Sequence, residues 1–192
     1  LRNEGITRQR WNEMAIYAQM RELRTGAESF TIHDGPPYPN GSIHHGHMLN
    51  KSLKDVIIRF KSMCGFDAPF VPGWDCHGLP IEHKVLKELH GEQRDALLTT
   101  SDPEKLSSTI RARCAEYAAG YTDMHSKQFQ HLLTFADYAH PYTTMQPKIE
   151  SGCLEILSRM IDLGLVYYGR KPVYWSCDNQ TALAEAELEY YD

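Results

Sequence analysis

No stretch of this sequence is apolar enough to cross a bilayer. Its longest aliphatic runs are of the order of Val56-Ile57-Ile58, far short of the roughly 20 residues a transmembrane helix needs, so no membrane partner is expected. Low-complexity linkers, internal repeats and the bias of a disordered or collagen-like chain are also lacking. Hydrophobic residues make up 42% and charged residues 23%, which suits a soluble globular protein. Excess positive charge is missing too: the formal net charge is −5. The chain therefore has no global electrostatic footprint for nucleic acid, although an acidic total is compatible with a local basic surface. The five cysteines (Cys64, Cys76, Cys114, Cys153 and Cys177) are widely spaced, with no two-residue gap between any pair. That spacing makes no zinc knuckle and, without a secretory context, no disulfide framework. A reducing, cytoplasmic setting is expected. Leu1-Arg2-Asn3-Glu4-Gly5 lacks the apolar core of a secretory leader. A chain that starts on Leu and stops at Asp192 without a tail is expected to be a piece of a longer protein.

What is present reads as alternating helices and strands. Trp11, Met14, Ala15, Ala18 and Leu23 sit at roughly helical spacing between Arg8 and Arg24, with Gly26 as a stop. Ser29 to His33 reads as a short strand running into Asp34-Gly35-Pro36-Pro37-Tyr38-Pro39-Asn40-Gly41, a loop dense in turn-forming residues. Leu49, Leu53, Val56, Ile57 and Phe60 predict a helix from about Ser42 to Met63, ended by Gly65. A second strand is expected over Phe66 to Val71, then a loop at Pro72-Gly73-Trp74-Asp75 and a helix over Ile81 to Leu89. Asp102 followed by Pro103 predicts a capped helix reaching about Leu133. Another is expected over Gln146 to Leu163 before Gly164, then an edge strand over Val166 to Trp175 marked by Pro172. Thr181 to Tyr190 suits either strand or helix. Strand, Gly/Pro loop, helix, strand is a βαβ unit, so the fold class is α/β, with a Rossmann-like parallel sheet and ligands beyond the carboxyl ends of its strands.

The chemistry concentrates in two loops. In Ser42-Ile43-His44-His45-Gly46-His47, His44 and His47 are three residues apart on one helix face. They sit in the first turn, where free amides and the helix dipole favour anions. Two imidazoles there can donate to a triphosphate and stabilise charge during an in-line displacement. Gly46 leaves room for a flat purine. The plainer alternative is a solvated histidine cluster or an adventitious metal site. Asp75, just past a strand end, is placed to pair with a substrate ammonium, or else caps its own loop. His77 either orients Asp75 or is a satisfied interior histidine, and Trp74 suits the core better than a ligand. Lys51, Lys54 and Arg59 read as a solvated face, with phosphate contact as the rival reading, and Arg111 and Arg113 as a solvated helix side.

His44-His45-Gly46-His47 resembles the HIGH signature of the class I aminoacyl-tRNA synthetases, with His45 in the variable position. Gly73-Trp74-Asp75-Cys76-His77-Gly78-Leu79-Pro80-Ile81-Glu82 is similar to the segment that marks the isoleucine branch of that family. Thr181-Ala182-Leu183-Ala184-Glu185-Ala186-Glu187-Leu188-Glu189-Tyr190 resembles its approach to an inserted editing domain. The resemblance implies activation of isoleucine with ATP to isoleucyl-adenylate, followed by transfer to tRNA(Ile). It implies His44 and His47 as catalytic residues and Pro37, Asn40, His44, Gly46 and His47 as ATP contacts. Gly35, Pro36 and Asp75 would contact the amino acid, Asp75 through its α-amino group. It also implies Mg²⁺ with the nucleotide. Residues 1–144 are then the first half of a Rossmann-type catalytic domain, and 145–192 the base of the inserted connective or editing domain.

Where many relatives carry a Cys-x-x-Cys knuckle, Cys177-Asp178-Asn179-Gln180 keeps one cysteine, so no metal site and no zinc are expected. The family's Lys-rich second signature loop, editing pocket and anticodon-binding helices are not in these residues, so this piece alone is expected to be weak or inactive. A HIGH-type nucleotidyltransferase and a non-catalytic nucleotide- or partner-binding module are the rival readings. A downstream Lys-rich loop would favour the enzyme.

Overall fold

The computed structural model describes residues 3–88, 102–178, 180–185, 188 and 190. By its contacts the chain falls into two units, Leu1–Glu150 and Ser151–Asp192.

The first unit opens with two helices where the sequence predicts one. They are α1 (Glu4–Glu13) and α2 (Ile16–Glu22), separated by Ala15 at φ +47. A left-handed alanine costs roughly 1–2 kcal/mol. The Gln19 side-chain amide offsets part of this by donating to the Met14 carbonyl at 2.7 Å. Helix α3 covers His45–Met63 and ends at Gly65, φ +99, where Phe66 N–H donates to Lys61 O and Gly65 N–H to Ser62 O. That is the Schellman pattern, whose left-handed position favours glycine. The apolar stripe that predicts α3 does not face the core: Leu49, Leu53, Val56 and Phe60 are exposed, and the buried residues are Lys51, Ile58 and Ser62.

The two predicted strands shrink for a reason visible in the backbone. Ser29 and Asp67 form a single parallel bridge, flanked by Phe30 N–H to Asp67 O at 2.8 Å and Asp67 N–H to Glu28 O at 2.9 Å. Beyond it stand Pro69 and Pro72, which have no N–H for a ladder. Regular pairing resumes at β1 (Gly73–Trp74), which lies parallel to β2 (Tyr142–Thr143) with Gly73 opposite Tyr142. Between these strands in sequence lie α4 (Leu79–Glu88) and α5 (Pro103–His131), the helical crossover that parallel pairing requires. The predicted end of the helix at Leu89 lies outside the described residues. Asp102 caps α5 by accepting from Glu104 and Lys105 N–H, both at 3.1 Å.

One core cluster joins Trp74, Cys76, Ile81, Val85, Ala118 and Phe129, tying β1, α4 and α5 together. A second joins Ile58 on α3 to Ala68, Phe70 and Ala136. Fully burying side chains such as Ile81 and Phe129 is worth about 1.5–3 kcal/mol each, which holds β1, α4 and α5 together.

Helix α6 (Pro147–Asp162) crosses the boundary between the units, has no buried residue and is followed by Gly164 at φ +69. The second unit otherwise contains the antiparallel pair β3 (Trp175–Ser176) and β4 (Thr181–Ala182). Of the predicted strand Val166–Trp175, Trp175 lies in this pair and the Tyr174 carbonyl accepts from Leu183 N–H at 3.0 Å.

Candidate active site

Asp34 anchors the start of the Gly/Pro loop. Both of its carboxylate oxygens are taken, Oδ2 by Lys51 and Oδ1 by Lys54 from α3, and the three side chains are largely buried. These lysines are therefore not the solvated face that charge spacing suggests. Burial pushes the Lys51 ammonium below its usual pKa, with Lys54 adding to that and the Asp34 pairing opposing it. Arg59 likewise turns inward, donating to Asp55 at 2.7 Å and to the Leu133 carbonyl. Downstream of Asp34, Gly35 borders open space, Pro36 and Pro37 are half-buried and Pro39 is fully buried.

The histidines then organise the helix start. His44 is the N-cap of α3, and its Nδ1 accepts from Gly46 N–H at 3.1 Å. His47 Nδ1 accepts from His44 N–H at 3.4 Å, a reciprocal capping box made of two imidazoles. The rings stack at 3.9 Å between centroids. Because Nδ1 accepts in both, the neutral rings carry their protons on Nε2, free to donate to a ligand. Burial, then the neighbouring His44, His125 and Lys51, lowers the His47 pKa below 6.5. A Cβ on Gly46 would lie 2.9 Å from the His44 ring. His45 is exposed at the first helical position.

The second loop leaves β1. Trp74 is fully buried, Cys76 is buried with its thiol pKa raised by that burial, and Asp75 between them is half-buried. Asp75 Oδ1 has two long contacts of 3.5 Å, from His77 N–H and from the Thr144 hydroxyl. Thr144 Oγ1 in turn accepts from Cys76 N–H at 2.8 Å. The His77 ring does not orient Asp75: it is exposed and lies 3.2 Å from the Thr144 carbonyl and 3.6 Å from Glu150.

Three ties join the loops. Asp75 N–H donates to the Pro37 carbonyl at 3.0 Å. The Asn40 amide donates to the Pro80 carbonyl at 3.3 Å and accepts from Tyr117 at 3.2 Å, which leaves it one N–H for a ligand. His125 reaches both Gly41 and Trp74. Gly35, Pro36, Pro37, Asn40, His44, Gly46, His47 and Asp75 thus lie on two loops bonded to each other and on the start of α3 that the first loop leads into. Sequence reading missed the α5 face that supports them: Tyr117, His125 and Gln128, the last accepting from Ile43 N–H at 3.2 Å. Their spacing, eight then three residues, is a helical stripe, a signal masked because it carries polar side chains. Arg111 and Arg113 are exposed.

A family model described as tRNA synthetases class I (I, L, M and V) matches residues 7–192. Isoleucine--tRNA ligase of Kosmotoga olearia is 46% identical over 192 residues, covering 100% of this chain and 20% of that protein. Its counterpart from Pediococcus pentosaceus is 46% identical over 190 residues, covering 99% and 19%. The chain therefore spans about a fifth of the length of the curated relatives it matches. Among solved structures, an agnB2 LeuRS–tRNA–LeuAMS ternary complex from Agrobacterium radiobacter superposes with a TM-score of 0.69 at 22% identity. It covers 95% of this chain and 20% of that one, a likeness of fold.

Proposed function

This chain belongs to the class I tRNA synthetases (I, L, M and V), and from that premise we propose that it is the part of an isoleucine--tRNA ligase that receives ATP and isoleucine for adenylate formation. The observation that carries the reading is the backbone bond from Asp75 N–H to the Pro37 carbonyl. It joins a loop bearing an anionic side chain to one ending in a cationic-character helix start, the charge pattern that a zwitterion and a polyphosphate need side by side. Identity of 46% to isoleucine--tRNA ligases supports the choice of amino acid.

In this reading the isoleucine carboxylate attacks the α-phosphate of ATP, pyrophosphate leaves, and isoleucyl-adenylate then passes its acyl group to tRNA(Ile). The Nε2–H groups of His44 and His47 donate to phosphate oxygens as charge builds there. Gly46 lets the purine lie against the helix, and Pro37 and Asn40 border the nucleotide. Asp75 holds the ammonium, with Gly35 and Pro36 beside the aliphatic side chain. Catalysis is by positioning and charge stabilisation. The residues here do not fit a protein-held Mg²⁺: the one carboxylate that opens the His44 loop, Asp34, has both oxygens paired to lysines. Mg²⁺ would be carried by the nucleotide phosphates, and no step by these residues depends on it. We further propose that residues 145–192 form the base of an inserted domain, with no zinc at Cys177, and that the enzyme works in the cytoplasm.

The test is amino-acid-dependent pyrophosphate exchange at saturating ATP in the full-length polypeptide. Breaking a buried charge pair typically costs about 2–5 kcal/mol, so Asp75→Asn should raise the isoleucine KM roughly 30-fold or more, with ATP binding nearly unchanged. Valine should be activated detectably, since one methylene is worth only about 1–3 kcal/mol, and should weaken in parallel. An unaltered isoleucine KM with weakened ATP would move Asp75 to the nucleotide site and favour a nucleotidyltransferase. No exchange with any amino acid would favour the non-catalytic module.

A further inference from the structure

We infer that His125, which lies on α5 outside both signature loops, is the positioning residue that holds those loops in register through a single neutral imidazole. The inference rests on the proposed active site.

The His125 residue is 1% exposed. Its Nδ1 lies 3.2 Å from the indole N–H of Trp74. An indole nitrogen can only donate, so Nδ1 must accept and carries no proton. The proton then sits on Nε2, which donates to the Gly41 carbonyl at 2.6 Å. Each bond lands next to a functional group. Gly41, at φ +97, stands three residues before the His44 cap, and Trp74 directly precedes Asp75. One rigid ring thereby spans the nucleotide side and the amino-acid side.

The surroundings keep it neutral. Burial lowers the His125 pKa below 6.5, and His44 and Lys51 push the same way against the Gly41 bond. Among the described residues, the titratable groups that face it come from α3 and its cap: His44, His47 with ring centroids 5.7 Å away, and Lys51. A proton on Nδ1 would set one N–H against another and break the Trp74 tie. The flanking Tyr117–Asn40 and Gln128–Ile43 bonds come from the same helix face, so α5 is a rail along which the first loop is pinned.

Two substitutions separate the two bonds in the full-length polypeptide. His125→Asn keeps an acceptor near the Nδ1 position but does not reach Gly41. His125→Gln reaches Gly41 with an amide N–H but leaves Trp74 unpaired. Pyrophosphate exchange, normalised by active-site titration, should show Asn raising mainly the ATP KM and Gln mainly the isoleucine KM. One net hydrogen bond predicts about two- to ten-fold in each. His125→Leu should raise both. If it fails to fold, the Asn and Gln pair still decides. A rise of the same KM in both variants, or a loss of active sites with both KM values intact, would overturn the positioning role and leave His125 as ordinary core. Ring ¹⁵N spectra of the unsubstituted protein give a readout independent of turnover. The Nε2–H tautomer is expected at pH 7, and an Nδ1–H or doubly protonated ring would refute the brace. Absence of isoleucine-dependent exchange together with the Nε2–H tautomer would sink the proposed activity and spare the brace.

Discussion

At Gly46 a single methyl group decides whether His44 keeps its place. The added Cβ would stand 2.9 Å from His44 Cε1 and 3.0 Å from Nδ1, closer than such atoms normally approach. The imidazole therefore has to leave the cap. Gly46→Ala should raise the ATP KM about ten-fold or more while leaving the fold intact, because a lost cap costs only about 1 kcal/mol. Steady-state kinetics with varied ATP, alongside circular dichroism, checks this, and an unchanged ATP KM would remove His44 from the nucleotide site. Two other residues show how local chemistry outruns residue type. Asp34 is a carboxylate at the head of the Gly/Pro loop, yet Lys51 and Lys54 occupy both oxygens. Thr144 carries no motif, yet its hydroxyl links Cys76 N–H to Asp75.

At the scale of elements, the parallel pair β1–β2 is set by one glycine. A Cβ at Gly73 would lie 2.1 Å from the Tyr142 ring directly across the register. Gly73→Ala must push the strands apart or expel Tyr142, and both disturb the backbone that carries Asp75. Overpacking of this kind costs about 1–3 kcal/mol. Urea unfolding of the full-length polypeptide should show that loss together with a raised isoleucine KM. Pairing Gly73→Ala with Tyr142→Ala should recover most of the stability if the ring is the obstacle. Helix α5 works differently: its start is legible in Asp102-Pro103, and its functional face is not. Tyr117, His125 and Gln128 look like an unremarkable polar stripe until their partners Asn40, Gly41, Trp74 and Ile43 are folded against them.

For the whole molecule, acid is the condition that should loosen the site first. The folded-state pKa values of His47 and His125 lie below the ordinary 6.5, so between those depressed values and 6.5 the unfolded chain binds more protons than the folded one. The contribution of these two histidines to stability is then level above about pH 7 and falls as pH drops through 6.5. Tryptophan-fluorescence unfolding at stepped pH should show this fall, and His125→Gln should make it shallower. An identical slope in the variant would mean that His125 does not titrate with folding. The sequence by itself determined which residues punctuate the chain: Asp102 and Pro103 opening α5, Gly65 and Gly164 closing helices, and the two loops around His44 and Asp75 that family resemblance singles out. These are local signals, carried by φ preferences and capping over a few residues. Tertiary structure alone decided which side of α3 faces inward, burying Lys51 on Asp34 and leaving Leu49, Leu53, Val56 and Phe60 exposed. It also reduced the predicted strands to a bridge and two short pairs, and it brought α5 beneath both loops. The physical reason is that a repeating pattern records that a face exists, while its partner is chosen by contacts between residues as far apart as Gly41 and His125.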